Sequence, residues 1–226
     1  MTPDPPKPGK FLATGIPGLD TILCGGLLRN GFYLLQGNPG SGKTTFALQL
    51  LLHRASQGER GLYLSLTESR HDLENICASH HWDINAISVA DFTQSEASLK
   101  VENQYSVFHP SEVELTQITE SIFAEVEKVK PQLLVFDGLS ELRLLSERPL
   151  RYRHQMLALK AYFEQRDITV MVLDDRTNPF GEIQPESLVG GNIIMDRTVP
   201  GYGVTRRRMQ VTKVRGAIFH DSLPEK

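Results

Sequence analysis

The sequence predicts an α/β fold in which helices flank a mostly parallel β-sheet and the last strands form an antiparallel extension. Several short segments are continuously apolar, for example Phe32–Gln36 and Leu133–Phe136, as expected of strands that are buried on both faces. Segments with apolar residues at steps of three and four, which indicate helices, lie between these strands. An alternation of strands and helices is typical of a parallel sheet covered by helices.

The first half of the chain contains three predicted strands and two predicted helices. The strands are rich in apolar and aromatic residues, and the helices place their apolar residues on one face. In chain order, these elements are the strand Phe32–Gln36, the helix Thr45–Ser56, the strand Gly61–Leu66, the helix Arg70–His81 and the strand Ala86–Phe92.

The second half begins with an amphipathic helix, Ser111–Lys130, in which Leu115, Ile118 and Ile122 step by three and four. The last two predicted strands are joined by a turn at Pro200–Gly201 and therefore form the antiparallel extension. The remaining elements are the strand Leu133–Phe136, the helix Arg153–Gln165, and the strands Ile168–Leu173, Asn192–Asp196 and Val204–Val214.

Length and composition indicate one domain of ordinary size. The chain has 226 residues, of which 40% are hydrophobic, and this is enough for one sizeable core. We expect residues 13–220 to form the domain. A proline-rich tail at residues 1–12 and a short C-terminal tail at residues 221–226 should flank it as flexible segments.

The composition also argues against several classes of protein. The net charge of −3 provides no general electrostatic footprint for nucleic acid or an anionic membrane, and no apolar run approaches the length of a membrane span. Cys24 and Cys77 lie in apolar settings without zinc-type spacing, which indicates buried, reduced thiols. The N-terminus lacks the apolar core of a signal peptide. We therefore expect a soluble, cytoplasmic protein without a membrane partner.

One segment fits the phosphate-loop pattern G-x-x-x-x-G-K-[ST] between a predicted strand and a predicted helix. Its glycines let the backbone curl until several N–H groups point at a phosphate chain, and the helix adds its positive N-terminal end. Lys43 is expected to reach the β and γ phosphates, and the Thr44 hydroxyl is expected to ligate Mg²⁺. The loop comprises Gly37, Asn38, Pro39, Gly40, Ser41, Gly42, Lys43, Thr44 and Thr45. The segment predicts a site for a nucleoside triphosphate.

Two acidic residues at strand ends complete the predicted site. Asp137 ends the fourth predicted strand, where a second Mg²⁺ ligand is needed. Glu68 lies just past the second strand, and ligands of parallel sheets bind at the carboxyl ends of strands, so Glu68 is the candidate general base. Alternatively, Glu68 only stabilises the N-terminus of the next helix. Asp174 and Asp175 end a further strand, where they either sense the γ phosphate or form a turn.

From Thr14 to Gly216, the chain resembles a KaiC-type ATPase domain of the RecA/RadA superfamily. The segments around Pro149 and Lys213 separate this group from other phosphate-loop proteins. The resemblance implies a RecA-like P-loop NTPase fold and is strongest to KaiC-like proteins of bacteria. Besides the phosphate loop, it rests on Thr14–Asp20, Gly25–Leu27, Leu62–Ser65, Phe108–Leu115, Leu139–Leu145, Pro149–Arg153 and Lys213–Gly216.

The resemblance implies a ring, usually a hexamer, with ATP or ADP and Mg²⁺ bound at each subunit interface. In the family, a Lys-x-Arg-Gly segment reaches the neighbour's phosphates, and the matching residues here are Lys213 and Arg215. A positive charge supplied in trans stabilises the transferring phosphoryl group. Otherwise, both residues are exposed positions on an edge strand, where such charges discourage aggregation. The implied function is slow, Mg²⁺-dependent ATP hydrolysis that serves as a signalling or assembly switch, with a signalling protein as a partner.

Two departures from the family pattern keep other functions open. Members with clear hydrolytic or kinase activity carry paired glutamates after the second strand, whereas the first position here is Thr67. Glu68 then acts alone, turnover is slow, or the protein is a nucleotide-gated scaffold without turnover. KaiC itself has two such domains in tandem. The chain is therefore a single-domain relative or half of a longer protein. In a longer protein, autokinase activity would be a further alternative.

A DNA-dependent recombinase of the RecA/RadA type is a further alternative. It requires a basic loop that faces the axis of the ring, but Asn178–Gly191 contains neither Lys nor Arg. The basic run Arg206–Arg208 lies on a predicted strand without interleaved aromatic residues, which favours a solvated or subunit-facing surface. We therefore expect no nucleic acid partner.

Overall fold

The computed structural model describes residues 9–93, 110–176, 184–198, 202 and 204–220. Both predicted tails lie wholly or mostly outside these residues. The turn at Pro200–Gly201 and residues 178–183 of the segment without Lys or Arg also lie outside them. Six α-helices are described: α1 (Pro17–Ile22), α2 (Lys43–Ser56), α3 (Arg70–Ser79), α4 (Pro110–Val129), α5 (Leu139–Ser146) and α6 (Pro149–Glu164).

Nine strands form two sheets within the described residues. A small antiparallel pair precedes the main sheet, whose seven strands follow the order β5-β4-β6-β7-β3-β8-β9. The strands are β1 (Phe11–Leu12), β2 (Leu27–Leu28), β3 (Phe32–Gly37), β4 (Gly61–Ser65), β5 (Ser88–Asp91), β6 (Leu133–Asp137), β7 (Thr169–Asp175), β8 (Gly191–Thr198) and β9 (Arg206–Val214).

The main sheet is parallel except for its last pair. Strands β3, β4, β5, β6, β7 and β8 all run in the same direction, and β9 pairs with β8 antiparallel. This arrangement confirms the predicted fold class. Because parallel strands share one direction, the residues that follow β3, β4, β6 and β7 meet at a single edge of the sheet.

Both faces of the sheet are covered by apolar side chains, which explains the continuously apolar strands. Alternate residues of one strand face opposite ways: Tyr63 belongs to the core beneath α2 and α3, whereas Leu62 and Leu64 belong to the core beneath α4, α5 and α6. Each of these three side chains is fully buried. No helix among the described residues has the length and apolar character needed to cross a membrane.

The structure corrects several predicted boundaries. Strand β7 continues through Asp175, and α6 begins at Pro149 rather than Arg153. The helices α1 and α5 lie outside the predicted elements because six and eight residues are too few to show a clear helical period. Cys77 is buried as expected, but Cys24 is only half-buried.

The segment Thr14–Asp20 is held by one carboxylate at the start of the domain. Asp20 Oδ1 accepts hydrogen bonds from the Thr14 backbone N–H and hydroxyl, each 2.7 Å long, and its Oδ2 accepts one from the Gly15 N–H at 3.2 Å. Gly15 has a φ of +76°, and a Cβ placed on it would lie 2.4 Å from the His53 ring. This part of the family pattern therefore stabilises the local fold at the start of the domain.

Candidate functional site

The phosphate loop joins β3 to α2 and requires glycine at three positions. Gly40 and Gly42 have φ angles of +78° and +103°, which side-chain-bearing residues rarely adopt. A Cβ on Gly37 would lie 2.4 Å from the Met195 carbonyl oxygen on the neighbouring strand. The loop can therefore curl tightly against β8, as a loop that surrounds a phosphate chain must.

The Lys43 ammonium is folded back over the mouth of the loop. Its Nζ donates to the carbonyl oxygens of Gly37 and Asn38 at 2.7 and 3.3 Å, and it forms an ion pair with Asp175 Oδ1 at 2.7 Å. Asp175 ends β7 beside Gly37. The side chain of Lys43 is 11% exposed and that of Asp175 is 39% exposed, so the pair lies partly shielded at the opening of the cleft.

Asp137 is a buried carboxylate at the end of β6, next to Ser65 of β4. The Tyr63 hydroxyl donates to its Oδ2 at 2.5 Å, and the Thr67 side chain also faces it. Burial raises the pKa of Asp137, although the hydrogen bonds from these two hydroxyl groups oppose the shift. The carboxylate is thus held at the cleft by the hydrogen bond from Tyr63.

A single cleft of about 180 Å³ at the carboxyl edge of the sheet contains Lys43, Thr44, Glu68 and Asp137. Glu68 is half-buried, and its backbone N–H donates to Ser65 Oγ at 2.9 Å. Its charge lies close enough to raise the pKa of Asp137 further. The structure therefore brings together the four side chains that the sequence nominated for phosphate, metal and base.

The donor set of this cleft fits Mg²⁺. A carboxylate from Asp137 and a hydroxyl from Thr44 are hard oxygen ligands, which Mg²⁺ prefers in combination with substrate phosphates and water. By contrast, no cluster of three or more His, Cys, Asp or Glu side chains suited to a metal occurs in the described part of the chain. A metal held here would therefore depend on the phosphates for most of its remaining ligands.

Asp174 and Asp175 are neighbours in sequence but have different surroundings. Asp174 is 3% exposed, and both of its oxygens accept from Arg143 Nη2 at 3.1 Å, while Ser140 Oγ donates to Oδ1 at 3.2 Å. Burial raises the pKa of Asp174 against the opposing effect of Arg143. Asp174 therefore fastens α5 to β7, whereas Asp175 faces Lys43.

Two arginines beside the loop were not among the predicted site residues. A Cβ on Gly40 would lie 3.5 Å from Arg197 Nη1, and a Cβ on Gly42 would lie 3.9 Å from Arg207 Cδ and Nε. Arg197 and Arg207 are cross-strand partners in β8 and β9. The basic run at residues 206–208 was visible in the sequence, but only the β3-β8-β9 pairing places part of it beside the loop.

Lys213 and Arg215 lie far from the phosphate loop of their own chain. Lys213 pairs with Asn192 near the start of β8, whereas Gly37 of the loop pairs with Met195, about 10 Å further along the strand at 3.3 Å per residue. Lys213 Nζ donates to the Glu186 carbonyl at 2.6 Å, and the Arg215 N–H donates to the Gly190 carbonyl at 2.7 Å. Lys213 is half-buried rather than fully exposed, and burial lowers its pKa.

Comparison with known proteins agrees with this architecture. The chain is 25% identical over 217 residues to the circadian clock oscillator protein KaiC of Prochlorococcus marinus, with 92% of this chain and 41% of that protein covered. A UPF0273 protein of Pyrococcus horikoshii is 28% identical over 213 residues, with 90% and 84% covered. The chain thus spans about two fifths of the length of the first of these relatives.

A solved structure shares the fold. The KaiC-like protein PH0186 of Pyrococcus horikoshii superposes with a TM-score of 0.74 at 23% identity, covering 94% of this chain and 92% of that one. The family model described as "ATPase: KaiC" matches residues 12–222, which supports an ATP-binding ATPase domain of RecA-like fold. The chain therefore belongs to the KaiC ATPase family.

Proposed function

We propose that this chain binds ATP with Mg²⁺ in the cleft above its phosphate loop and hydrolyses it slowly. Hydrolysis would take place between the subunits of a ring, which we propose to be a hexamer. The observation that carries the proposal is the convergence of Lys43, Thr44, Asp137 and Glu68 in one cleft. The ATP-bound and ADP-bound rings would differ in their contacts and so act as a signalling or assembly switch towards a protein partner.

Each residue of the cleft has a distinct part in the proposed reaction. The loop amides and Lys43 bind the phosphate chain, while Thr44 and Asp137 hold the metal. Mg²⁺, when bound, neutralises charge on the β and γ phosphates. Glu68 accepts a proton from the attacking water through its carboxylate. Thr67 cannot take that part near neutral pH, since its hydroxyl is not a base, and a single carboxylate is consistent with slow turnover.

The position of Lys213 and Arg215 supports a site shared between subunits. Both lie near the amino ends of the parallel strands, at the opposite edge from the cleft, so they are poorly placed to contact phosphates bound to their own loop. A neighbour in a ring could receive them, and their positive charges would stabilise the transferring phosphoryl group. Bound phosphate would in turn favour assembly, because it offers these cations an anionic partner.

An ATPase assay on size-fractionated protein, with and without DNA, tests this proposal. Lys43→Ala should abolish ATP binding and turnover, because the Lys43 ammonium is proposed to pair with the negative charge of the phosphates. The fold should persist, because Lys43 lies at the edge of the core. Lys128→Ala, which changes an exposed lysine on α4, is the matched control and should behave like the unaltered protein. Unchanged ATP affinity in Lys43→Ala would refute the phosphate-loop assignment.

The same assay separates the two alternative functions. A nucleotide-gated scaffold, favoured by the presence of Thr67 rather than a second carboxylate, would change mass with ATP and release no phosphate. A recombinase-like ATPase would hydrolyse ATP several-fold faster when DNA is added. The proposed function requires phosphate release that DNA leaves unchanged.

A further inference from the structure

The phenol of Tyr63 is a polar group deep in the interior of the sheet. Tyr63 lies in the middle of β4 and has no exposed surface. A phenylalanine would fill nearly the same space, and burying a hydroxyl without a partner is costly. The hydroxyl is satisfied by Asp137, to whose Oδ2 it donates at 2.5 Å. It therefore has a specific polar partner in the nucleotide cleft.

The same phenol oxygen faces a second residue of the cleft. The Thr44 hydroxyl lies beside it and opposes the rise in the pKa of Tyr63 that burial and Asp137 cause. A phenol has one proton, and an ionised carboxylate can only accept. Tyr63 therefore gives its proton to Asp137, and this hydrogen bond runs in one direction, from the interior of the sheet to the carboxylate in the cleft.

We propose that Tyr63 is a positioning residue that orients Asp137 as a ligand of Mg²⁺, a proposal that rests on the proposed role of Asp137. With Oδ2 held by Tyr63, the carboxylate of Asp137 would keep one orientation towards the metal. Partners behind metal ligands fix their orientation in this way, and losing one commonly costs about 10- to 100-fold in metal affinity.

The variant Tyr63→Phe tests this proposal, because it removes only the hydroxyl. Mg²⁺ is titrated into the full-length protein with a fluorescent ATP analogue, and nucleotide binding is also measured in EDTA. We expect the affinity for Mg²⁺ to fall about tenfold, with binding in EDTA unchanged. The control is Tyr33→Phe: Tyr33 is also buried, but its hydroxyl donates to the Leu28 carbonyl at 3.0 Å, away from the cleft. This control should retain the Mg²⁺ affinity of the unaltered protein.

Asp137→Asn separates failure of this proposal from failure of the proposed function. If Asp137→Asn loses Mg²⁺-dependent binding but Tyr63→Phe does not, the positioning role is refuted and the metal site stands. If neither variant alters the Mg²⁺ dependence, the metal site itself is wrong, and the positioning role falls with it. Equal losses with and without Mg²⁺ in Tyr63→Phe would also refute the proposal, because they would indicate a purely structural hydroxyl. Melting temperatures of the two Tyr→Phe variants show whether both are folded at the assay temperature.

Discussion

The ion pair between Lys43 and Asp175 should compete with ATP for the lysine. In the structure, Asp175 Oδ1 lies 2.7 Å from Lys43 Nζ, so a carboxylate already pairs with the ammonium that is proposed to bind phosphate. ATP must displace this carboxylate or approach beside it, and either event has a cost. The substitution Asp175→Asn removes the charge with little change in size, so we expect ATP to bind more tightly.

The size of the effect follows from the exposure of the pair. A fully buried pair would interact strongly, but Asp175 is 39% exposed, and measured values for exposed pairs are about 1 kcal/mol or less. Taking about 1 kcal/mol, and about 1.4 kcal/mol per tenfold change, the ATP affinity of Asp175→Asn should rise about fivefold. The difference should shrink in high salt, because salt screens partly exposed charges.

Isothermal titration with ATP at low and high salt measures this effect. Asp196→Asn is the matched control, since Asp196 is also partly exposed but pairs with Arg176 at 3.3 Å. It makes the same change in net charge without touching Lys43. Unchanged or weaker ATP binding in Asp175→Asn would refute the competition and would indicate that Asp175 holds Lys43 in its binding position.

Three further predictions concern catalysis and stability. Glu68→Gln should bind ATP normally but hydrolyse it about a hundredfold more slowly, as for loss of a general base. If the variant hydrolysed ATP at the rate of the unaltered protein, Glu68 would only stabilise the N-terminus of the next helix. Glu59→Gln should lower the free energy of unfolding by about 2 kcal/mol at neutral pH. Burial would raise the pKa of Glu59, but its ion pairs with Arg54 and Arg29 hold the pKa below the usual value. The stabilisation by Glu59 should therefore be present above the unfolded-state pKa and vanish as the pH falls through the folded-state pKa. Denaturation of Glu59→Gln and the unaltered protein at several pH values measures it. A difference in unfolding free energy between the two proteins that persists in acid would contradict this prediction. Gly15→Ala should destabilise the fold by about 2 kcal/mol, because its Cβ would meet the His53 ring at positive φ; Gly18→Ala, which has open space around it, is the control, and equal melting temperatures would refute the packing argument.

The sequence was sufficient to predict the fold class and the position of the glycine-rich loop between a strand and a helix. Each depends on a local pattern: continuously apolar strands for a sheet buried on both faces, and the glycine spacing between Gly37 and Gly42 for the loop. The short helices α1 and α5 were not predicted, because so few residues show no clear helical period of apolar side chains. Their positions are set by contacts such as the Arg143–Asp174 ion pair, which joins residues distant in sequence.

The surroundings of the candidate site could not be predicted, because they depend on how strands pair. No local pattern indicates that the hydroxyl of Tyr63 meets Asp137, since both residues lie in apolar strands. Likewise, only the pairing of β3 with β8, and of β8 with β9, brings Arg197 and Arg207 beside the loop and keeps Lys213 away from it.

A mixing experiment tests most directly whether the ATPase site is shared between subunits. Lys43→Ala removes the lysine that is proposed to bind phosphate, and Arg215→Ala removes the charge that is proposed to reach the neighbouring subunit. Each variant alone should hydrolyse almost no ATP, and light scattering should show whether Mg²⁺ and ATP still drive a hexamer. Mixed in equal amounts before assembly, the two variants should recover activity, because about a quarter of the interfaces in a random ring then combine an intact Lys43 with an intact Arg215. Full activity of Arg215→Ala alone, or no recovery in mixed rings, would contradict a shared site.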